Sequence, residues 1–472
     1  MSTKNTKVVC TLGPSSDSVS ELVRLIQSGM NVARLNFSHG SHKHHKEIIN
    51  NLHAAEKKTG KIVALMQDLQ GPKIRTGKLP FEGIEIRRGE KITLTVRKVD
   101  GSKKKKKTII PIQYKGLAKD VKGKDTILID DGLMEVEVQK VKGPDIFCKV
   151  KYGGVIFSHK GIAAPSAVIS AQTITPKDRK DLEFGLKNDV DYVALSFVKD
   201  ANDIKNLRKL IEKKHKKTKI IAKVERHEAI GDNLEPIIKE TDAVMVARGD
   251  LGINIPAEKV PIVQKKMIKL ANRYAKPVIT ATQVLDSMIH NPVATRAEIS
   301  DAANSIFDHT DAIMLSNETA VGKYPAKAAK TLTNVAETVE KELQLHEELI
   351  QTKIPDRDNL TSNAMCLNAC ELATDLDADK IVVYTDSGFT ARQIAKHRPY
   401  KKIITITPNI KVARELALIW GLNKIVVGKL SSKNSENILK FLKKEKLVKK
   451  GETIVIVCNA DKRAKLISTL KV

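Results

Sequence analysis

The chain has few aromatic residues, few cysteines and no long apolar run. Phe, Trp and Tyr make up 4% of its 472 residues. Proteins that bind single-stranded nucleic acids stack bases on aromatic side chains, so this class of partner is disfavoured. No stretch reaches the ~18 uninterrupted apolar residues that span a bilayer, and the amino end lacks a signal-peptide pattern. We therefore expect a cytoplasmic protein that interacts with neither nucleic acids nor membranes.

The five cysteines are too few and too scattered to indicate a disulfide framework or a zinc site. They are Cys10, Cys148, Cys366, Cys370 and Cys458, with no Cys-x-x-Cys pair. Cys366 and Cys370 lie four apart on a predicted helix, but no neighbouring His or Cys completes a ligand set. We expect reduced cysteines that pack in the core.

Acidic residues are too few to balance the basic ones, and the net charge is +27. Such an excess raises the question of a polyanionic partner. Residues 72–171 carry +11 and residues 355–472 carry +10, so the excess is concentrated in two parts of the chain. Because most of it is lysine without interleaved aromatics, we interpret it as a basic, solvated surface.

Eight short apolar runs predict the strands of a (β/α)8 barrel, because helical patterns with three-to-four spacing separate most of them. Those helical stretches include 17–28, 201–215, 260–275 and 325–346. The runs are Lys7–Thr11, Val32–Asn36, Ile62–Asp68, Tyr192–Ser196, Ile220–Val224, Ala243–Val246, Val278–Ala281 and Ala312–Leu315. The predicted fold class is α/β, with a catalytic barrel built from residues 1–71 and 172–345.

Two further domains are predicted. Period-two patterns at 83–99, 108–114, 126–138 and 146–152 indicate a small β-barrel lid inserted at 72–171, with an exposed hairpin tip at Lys103–Lys107. Strand-like runs at 380–385, 402–407, 423–427 and 453–458 indicate a carboxyl-terminal α/β domain with a parallel sheet, spanning 355–472.

Charged residues follow the fifth and sixth barrel runs. Strand alternation directs Lys223 and Glu225 to the same side, and Asp250 follows the next strand. The carboxyl ends of barrel strands meet on one face, where active sites lie. Two carboxylates with water and substrate oxygens are a common Mg²⁺ environment, and Lys223 would face a transferring phosphoryl group. The sequence therefore predicts phosphate chemistry on this face.

Other donors follow the second, third and seventh runs. The planar guanidinium groups of Arg34 and Arg75 suit phosphate oxygens. The segment 71–78 superficially resembles a Walker loop, but it has one residue too many and Leu79 where a magnesium-binding hydroxyl belongs. Thr282 adds a hydroxyl to the same face, although such threonines are more often helix caps.

Taken together, these motifs resemble the pyruvate kinase family over essentially the whole chain. The resemblance is carried by several segments in the family's order: 7–15, 33–40, 71–77, 246–253, 255–260, 281–283 and 316–320. It implies transfer of a phosphoryl group from phosphoenolpyruvate to ADP, which gives ATP and pyruvate. It also implies a lid that closes over the site and excludes water.

The resemblance assigns roles to residues by position. It implies that Glu225 and Asp250 hold Mg²⁺, with Mn²⁺ possible, and that Lys223 stabilises the migrating phosphoryl group. Arg34 would bind the substrate phosphate, whereas Gly249, Asp250 and Thr282 would bind its carboxylate end. Thr282 also falls at the family's protonation site. The implied nucleotide-phosphate ligands are Asn36, His39, Arg75 and Lys160.

The carboxyl-terminal domain is expected to bind a phosphorylated effector, and the family resemblance suggests a homotetramer. Thr385, Ser387 and Thr390 form a hydroxyl-rich turn at a helix start, which favours anions. The segment 458–463 lacks the glycine-rich loop that helps many members bind sugar phosphates, and Ala163–Ser166 replaces the family's usual Asn-Leu-Pro-Gly. The identity of the effector stays open.

One substitution predicts independence from K⁺. Many family members have a glutamate at the position of Lys73 and hold K⁺ through the positions of Asn36, Ser38 and Asp68. Here the Lys73 ammonium would supply that charge and repel a second cation a few Å away by about 4 kcal/mol. Leu69, in place of the more usual threonine, accompanies the change. The alternative is that Lys73 points to solvent.

Two other functions compete with this interpretation. One is a magnesium-dependent aldolase or lyase of pyruvate chemistry on the same barrel, which would need neither a lid nor the Arg75 and Lys160 pair. The other is a basic nucleic-acid-binding protein on a reused barrel, for which retention on heparin above ~200 mM salt would argue.

Overall fold

The computed structural model describes residues 4–104, 107–346, 360–430, 434–459 and 465–472. Its strands, in chain order, are β1 Lys7–Thr11, β2 Met30–Asn36, β3 Ala64–Asp68, β4 Ile84–Ile86, β5 Lys91–Thr95, β6 Ser102–Lys104, β7 Lys107–Pro111, β8 Thr126–Ile129, β9 Met134–Lys142, β10 Asp145–Tyr152, β11 Gly154–Ile156, β12 Ile162–Ala163, β13 Tyr192–Leu195, β14 Lys219–Val224, β15 Ala243–Ala247, β16 Val278–Ala281, β17 Ala312–Leu315, β18 Lys380–Tyr384, β19 Lys402–Thr407, β20 Lys424–Val427, β21 Thr453–Asn459 and β22 Lys465–Lys471.

The α-helices surround or follow these strands. They are α1 Val19–Gln27, α2 His42–Thr59, α3 Leu117–Asp120, α4 Pro176–Lys187, α5 Ala201–Glu212, α6 Leu234–Glu240, α7 Arg248–Asn254, α8 Val260–Arg273, α9 Arg296–Phe307, α10 Asn317–Ala320, α11 Pro325–His346, α12 Leu360–Asp375, α13 Phe389–Ala395, α14 Ile410–Leu416 and α15 Ser435–Lys444. None of the helices in the described ranges is long and apolar enough to cross a membrane.

Eight parallel strands close the barrel in the order β1-β17-β16-β15-β14-β13-β3-β2. All eight predicted runs form these strands, so the predicted barrel is confirmed. Each strand is buried on both faces, which explains why the sequence shows continuous apolar runs rather than alternation. One face packs on the surrounding helices and the other fills the barrel interior, so the rim side chains sit on a rigid support.

The helix that follows the lid begins with a strong local signal. Thr175 accepts a hydrogen bond from the Asp178 amide, the Asp178 side chain accepts in return from the Thr175 amide, and Pro176 occupies the first helical turn. This capping box satisfies two backbone donors that a helix start otherwise leaves free. It fixes the point where the chain re-enters the barrel from the lid.

The lid is a small β domain, as predicted, and the segment 74–77 links the two sides of its main sheet through backbone bridges from Arg75 to Gly161, beside β12, and from Thr76 to Ile112, beside β7. Seven strands pair in the order β12-β8-β9-β10-β5-β7-β6, and β4 pairs separately with β11. Both sheets share one apolar core. The β6–β7 ladder supports the predicted hairpin, but the middle of its tip lies outside the described residues.

The carboxyl-terminal sheet has the order β20-β19-β18-β21-β22. Its first four strands are parallel, as predicted, whereas β22 pairs antiparallel with β21 and was not predicted. This domain packs against the amino-terminal ends of the barrel strands. There the Tyr192 hydroxyl donates to the Glu415 carbonyl oxygen at 2.6 Å, and Arg398 pairs with Asp311 at 3.1 Å. All five cysteines are buried and free, which confirms the predicted core role.

Candidate active site

Residues from the ends of four barrel strands meet at the carboxyl-terminal rim. Arg34, the third residue from the end of β2, reaches Asp68 at the end of β3, and its Nε lies 2.7 Å from Asp68 Oδ2. Its Nη1 donates to Thr11 Oγ1 at 2.8 Å. Burial alone would raise the pKa of Asp68, but Lys223 and Arg34 outweigh burial and lower it. The rim therefore holds an ionised carboxylate between two cations.

Lys223 lies at the centre of this group. Its Nζ contacts Asp68 Oδ1 at 3.1 Å, Ser196 Oγ at 2.7 Å and Glu225 Oε1 at 2.9 Å. Burial would lower the pKa of Lys223, but the carboxylates of Asp68 and Glu225 raise it above its usual value. The side chain is therefore a permanently charged ammonium held in place from three directions. Such a group can stabilise negative charge but is a poor proton acceptor.

Glu225 and Asp250 form the candidate metal-binding pair. Glu225 is buried and accepts a hydrogen bond from the Phe197 amide at 2.7 Å, whereas Asp250 is partly exposed to the cleft. Burial raises the pKa of Glu225 to about 7, with Lys223 opposing the rise and Asp250 adding to it. A divalent cation would compensate this buried charge. No group of three or more His, Cys, Asp or Glu side chains with metal-binding geometry occurs within the described ranges. Two carboxylates still suit Mg²⁺, which keeps several waters and binds substrate phosphates.

Thr282 occupies a strained backbone position at the end of β16. Its φ is +68°, in the left-handed region that β-branched residues avoid. Its Oγ1 accepts a hydrogen bond from the Gly249 amide at 2.8 Å and donates to the Ala281 carbonyl oxygen at 2.6 Å. Arg248 donates to the Thr282 carbonyl oxygen at 2.9 Å and fixes the segment from the other side. Strain that surrounding contacts maintain is typical of functional sites.

The predicted nucleotide ligands divide between barrel and lid. Asn36 and His39 follow β2, and His39 has a lowered pKa because of burial and nearby Arg75, Arg34 and Lys73. Arg75 and Lys160 lie on the two chain segments that enter and leave the lid. Arg75 Nη1 donates to the His159 carbonyl oxygen at 3.1 Å, and Lys160 Nζ lies 3.0 Å from Asp130 Oδ1.

Lys73 points into the cleft and not to solvent. Its Nζ lies 3.1 Å from Asp250 Oδ1, and both side chains are about one-quarter exposed. The Lys73 ammonium therefore pairs with Asp250 and not with Asp68. Asn36 Oδ1 accepts from the Ser38 amide at 3.1 Å. The Leu69 side chain is buried in the core, while its carbonyl oxygen accepts from Ser196 Oγ at 2.7 Å.

The predicted effector loop presents few free donors. Thr385 and Thr390 are buried, and Thr385 Oγ1 already accepts from the Gly388 amide at 3.0 Å. Ser387 is the exposed member of the three. In the segment 458–463, which lacks the family's glycine-rich loop, residues 460–463 lie outside the described residues.

Three further residues support the site, and the sequence arguments did not find them. Ser196 bridges Lys223 and the Leu69 carbonyl oxygen, and the Phe197 amide orients Glu225. Asn254 Nδ2 donates to the carbonyl oxygens of Glu225 and Asp250, both at 2.9 Å. The position of Ser196 at the end of the fourth strand was a usable signal, because residues there face the rim. Asn254 lies on α7 and gave no such signal.

These groups line a cleft of about 730 Å³ between β-strand ends, α2 and the lid. Its walls include Arg34, Asn36, His39, Lys73, Gly249, Asp250 and Thr282. Lys223 and Glu225 lie just below the surface of this cleft. The arrangement places several cations around two carboxylates, which is the chemistry that binds a phosphate ester together with a divalent ion.

Comparison with known proteins agrees with this geometry. The family model described as pyruvate kinase, barrel domain, matches residues 3–329, and the model described as pyruvate kinase, alpha/beta domain, matches residues 363–472. The pyruvate kinase of Staphylococcus saprophyticus is 43% identical over 426 residues, which are 90% of this chain and 72% of that protein. That of Geobacillus stearothermophilus is 44% identical over 421 residues, 89% of this chain and 71% of the relative. A crystal structure of a Cryptosporidium parvum pyruvate kinase superposes with a TM-score of 0.89 at 34% identity, covering 99% of this chain and 96% of the other.

Proposed function

The chain belongs to the pyruvate kinase family, and on that premise we propose how its rim residues transfer a phosphoryl group from phosphoenolpyruvate to ADP. The observation that carries the proposal is the buried Lys223 ammonium, which lies 2.9 Å from Glu225 and 3.1 Å from Asp68. A permanently charged group at this point stabilises the negative charge that spreads over a migrating phosphoryl group.

Arg34 and Asn36 bind and orient the phosphate from the β2 side of the cleft in this proposal. Arg34 is held by Asp68 and Thr11, so its guanidinium loses little conformational freedom when substrate binds. As the bond from phosphorus to the enol oxygen breaks, a bond forms to a terminal ADP oxygen. Arg75 and Lys160 bind the nucleotide phosphates from the lid.

The substrate carboxylate is proposed to lie against the Gly249–Asp250 turn and Thr282. The Thr282 hydroxyl is fixed by Gly249 and Ala281, so it presents one oxygen at a constant position. The enolate that remains after phosphoryl transfer takes a proton at carbon to become pyruvate. We propose that Thr282 orients the proton donor for this step.

We further propose that Glu225 and Asp250 hold Mg²⁺, and that Mn²⁺ can replace it. When bound, the ion supplies positive charge to the phosphoryl oxygens. The Phe197 amide orients the Glu225 carboxylate, and Asn254 fixes the backbone of Glu225 and Asp250, before the ion arrives. A coupled assay of ATP formation from phosphoenolpyruvate and ADP tests this directly. A chelator should abolish the activity and added Mg²⁺ should restore it; full activity in chelator would exclude the metal role.

We also propose that the activity does not require K⁺. It is supported by the inward direction of Lys73, whose ammonium lies in the cleft wall beside Arg34 and Asn36. In this structure the ammonium contacts Asp250, so we propose that it moves toward the substrate phosphate once Mg²⁺ occupies the carboxylate pair. A lysine that stayed on Asp250 would instead compete with the metal.

A homotetramer and a phosphorylated effector are proposed from the family resemblance alone. Light scattering coupled to size exclusion measures the first. Activation by sugar phosphates or AMP measures the second, and variants of Ser387, the exposed member of the predicted loop, separate that loop from other sites.

A further inference from the structure

A second cavity lies at the opposite end of the barrel from the active site. It has a volume of about 430 Å³ and lies between the amino-terminal ends of β13 to β16 and the helices α13 and α14. The barrel contributes Tyr192, Lys219 and Lys276, among others, and the carboxyl-terminal domain contributes Arg392 and Glu415. The cavity therefore exists only where the two domains meet.

The walls of this interdomain cavity carry an excess of positive charge. Lys219, Lys239, Lys276 and Arg392 face two carboxylates, Asp242 and Glu415. Lys219 Nζ lies 3.7 Å from Asp242, whereas Lys276 and Arg392 donate to the backbone oxygens of Thr241 and Ser387, at 2.6 Å and 3.4 Å. Two cations, one from each domain, thus keep capacity for an anionic ligand.

The pKa of Lys276 also indicates that its positive charge is incompletely compensated. Burial lowers the pKa of Lys276, and the carboxylate of Asp242 offsets only part of that effect while Arg392 adds to it. An anion bound beside Lys276 would restore the stability of the charged ammonium.

The cavity also contains a buried acceptor that lacks a donor among the described residues. Gln393 lines the cavity, is 5% exposed, and its Oε1 has no hydrogen-bond partner among the described residues. A buried acceptor without a partner costs roughly 1–3 kcal/mol. Burial raises the pKa of Glu415, whose carboxylate lines the same wall. Both groups would accept hydrogen bonds from ligand hydroxyls, and the rings of Tyr274 and Phe389 add flat apolar surface.

We propose that this interdomain cavity binds a phosphate monoester of a hydroxylated ring compound. Lys276 and Arg392 hold the phosphate, Gln393 and Glu415 accept from its hydroxyl groups, and Tyr274 and Phe389 cover the ring. The cavity adjoins the Thr385–Thr390 loop and shares Phe389 with it, but it faces the barrel and is completed by the barrel residues Lys219 and Lys276. Sugar phosphates and nucleoside monophosphates share this chemistry, so the experiment separates them.

The test titrates glucose 6-phosphate, ribose 5-phosphate and AMP into the full-length enzyme by isothermal calorimetry. ADP is present throughout, so that the catalytic cleft is occupied and binding there is not counted. Inorganic phosphate serves as the minimal probe. At least one monoester should bind more tightly than inorganic phosphate and raise the temperature of thermal unfolding.

Two variants place the bound ligand. Arg392→Gln and Lys276→Gln should each weaken binding roughly tenfold or more, because each removes a charged hydrogen bond. Arg179→Gln removes the same charge at an exposed position of α4, outside the cavity lining, and should leave the affinity unchanged. Lys276 lies on the barrel, where its ammonium donates to the Thr241 carbonyl oxygen, so its substitution tests the cavity without changing a residue of the loop. Far-ultraviolet circular dichroism checks that each variant is folded.

Three results would overturn the proposal. The first is that no monoester binds better than inorganic phosphate. The second is that binding survives both cavity variants while Ser387→Ala removes it, which would assign the ligand to the loop. The third is that a monoester binds in a matched titration without ADP but not in its presence, which would assign it to the catalytic cleft.

Discussion

At the scale of single residues, the central feature is a lysine whose charge is fixed by its neighbours. Lys223→Ala should lower kcat by roughly a thousandfold, because it removes charge that acts mainly in the transition state. The apparent affinity for phosphoenolpyruvate should change much less, since Arg34 remains. Lys205→Ala, on the exposed face of α5, is the control. Near-normal turnover of the Lys223 variant in a steady-state assay would contradict its assigned role.

For Lys73 we predict that a substitution introduces a requirement for K⁺ that the unmodified enzyme does not have. The unmodified enzyme should be equally active in K⁺ and in tetramethylammonium buffer, whereas Lys73→Glu should become K⁺-dependent. The reason is that a carboxylate would attract the cation that the ammonium replaces. Steady-state rates in the two buffers measure the effect. Stimulation of the unmodified enzyme by roughly tenfold or more, equivalent to at least about 1.4 kcal/mol, would refute the proposal.

Asp191 should couple stability to pH. It is buried, accepts from the Leu65 amide at 2.8 Å, and burial raises its pKa to about 7. The folded state therefore holds a proton that the unfolded state releases, and the stabilising contribution is lost as pH rises through about 7. Asp191→Asn keeps an acceptor for Leu65 without the charge.

The Asn variant should gain stability over the unmodified protein as pH rises toward about 7, by about 1.4 kcal/mol per pH unit and therefore by about 3 kcal/mol between pH about 5 and about 7. The measurement is the difference in thermal unfolding temperature between the two proteins from pH about 5 to about 8. A constant difference across that range would show that Asp191 does not titrate there.

At the scale of elements, the junction between β3 and the lid depends on a glycine. Gly71 has φ +66°, and a β-carbon there would lie 2.9 Å from Ser196 Cβ and 3.0 Å from Phe197 Cδ2. Gly60 has φ +65° but nothing within 4 Å of the same point. The two positions share the backbone strain and differ only in crowding.

Gly60→Ala should therefore cost about 1 kcal/mol in stability and leave kcat unchanged. Gly71→Ala should cost more and also lower kcat, because displaced Ser196 would no longer hold Lys223. Thermal unfolding and steady-state kinetics on the pair check this. Equal behaviour of the two variants would mean that crowding at Ser196 does not reach the active site.

The sequence predicted elements better than the contacts between them. Alternation along β14 places Lys223 and Glu225 on one side, and the structure puts them 2.9 Å apart. One run was predicted over 126–138, although Asp130, Asp131 and Gly132 interrupt its alternation and form the turn that separates β8 from β9. The β22 strand was missed because its pairing with β21 depends on a contact that local sequence does not encode. Asn254 was missed for the same reason, because its role depends on hydrogen bonds to the carbonyl oxygens of two residues from different strand ends.

At the scale of the whole molecule, buried polar contacts dock the carboxyl-terminal domain on the barrel. Arg398 pairs with Asp311 at 3.1 Å, donates to the His309 carbonyl oxygen at 2.8 Å and stacks 4.7 Å from the Trp420 ring. Arg398→Met should cost roughly 3–5 kcal/mol, because it leaves a buried carboxylate without its partner.

Arg414→Met provides a control at the same interface. Its pair with Glu56, at 3.0 Å, is more exposed, so its loss should cost about 1 kcal/mol or less. Differential scanning calorimetry measures both variants. Equal losses would indicate that burial does not set the strength of this interface.

The insertion of the lid also has a consequence for the order of folding. Strand β3 and helix α4 belong to one βα unit, yet the whole lid separates them. Closing a loop of about a hundred residues costs about 4 kcal/mol in chain entropy. The lid shortens that loop, because the Ile162 amide donates to the Ile74 carbonyl oxygen at 2.9 Å and Arg75 bridges Gly161. A lid that folds first would therefore act as an internal clamp, bringing the two halves of the barrel together before the barrel closes.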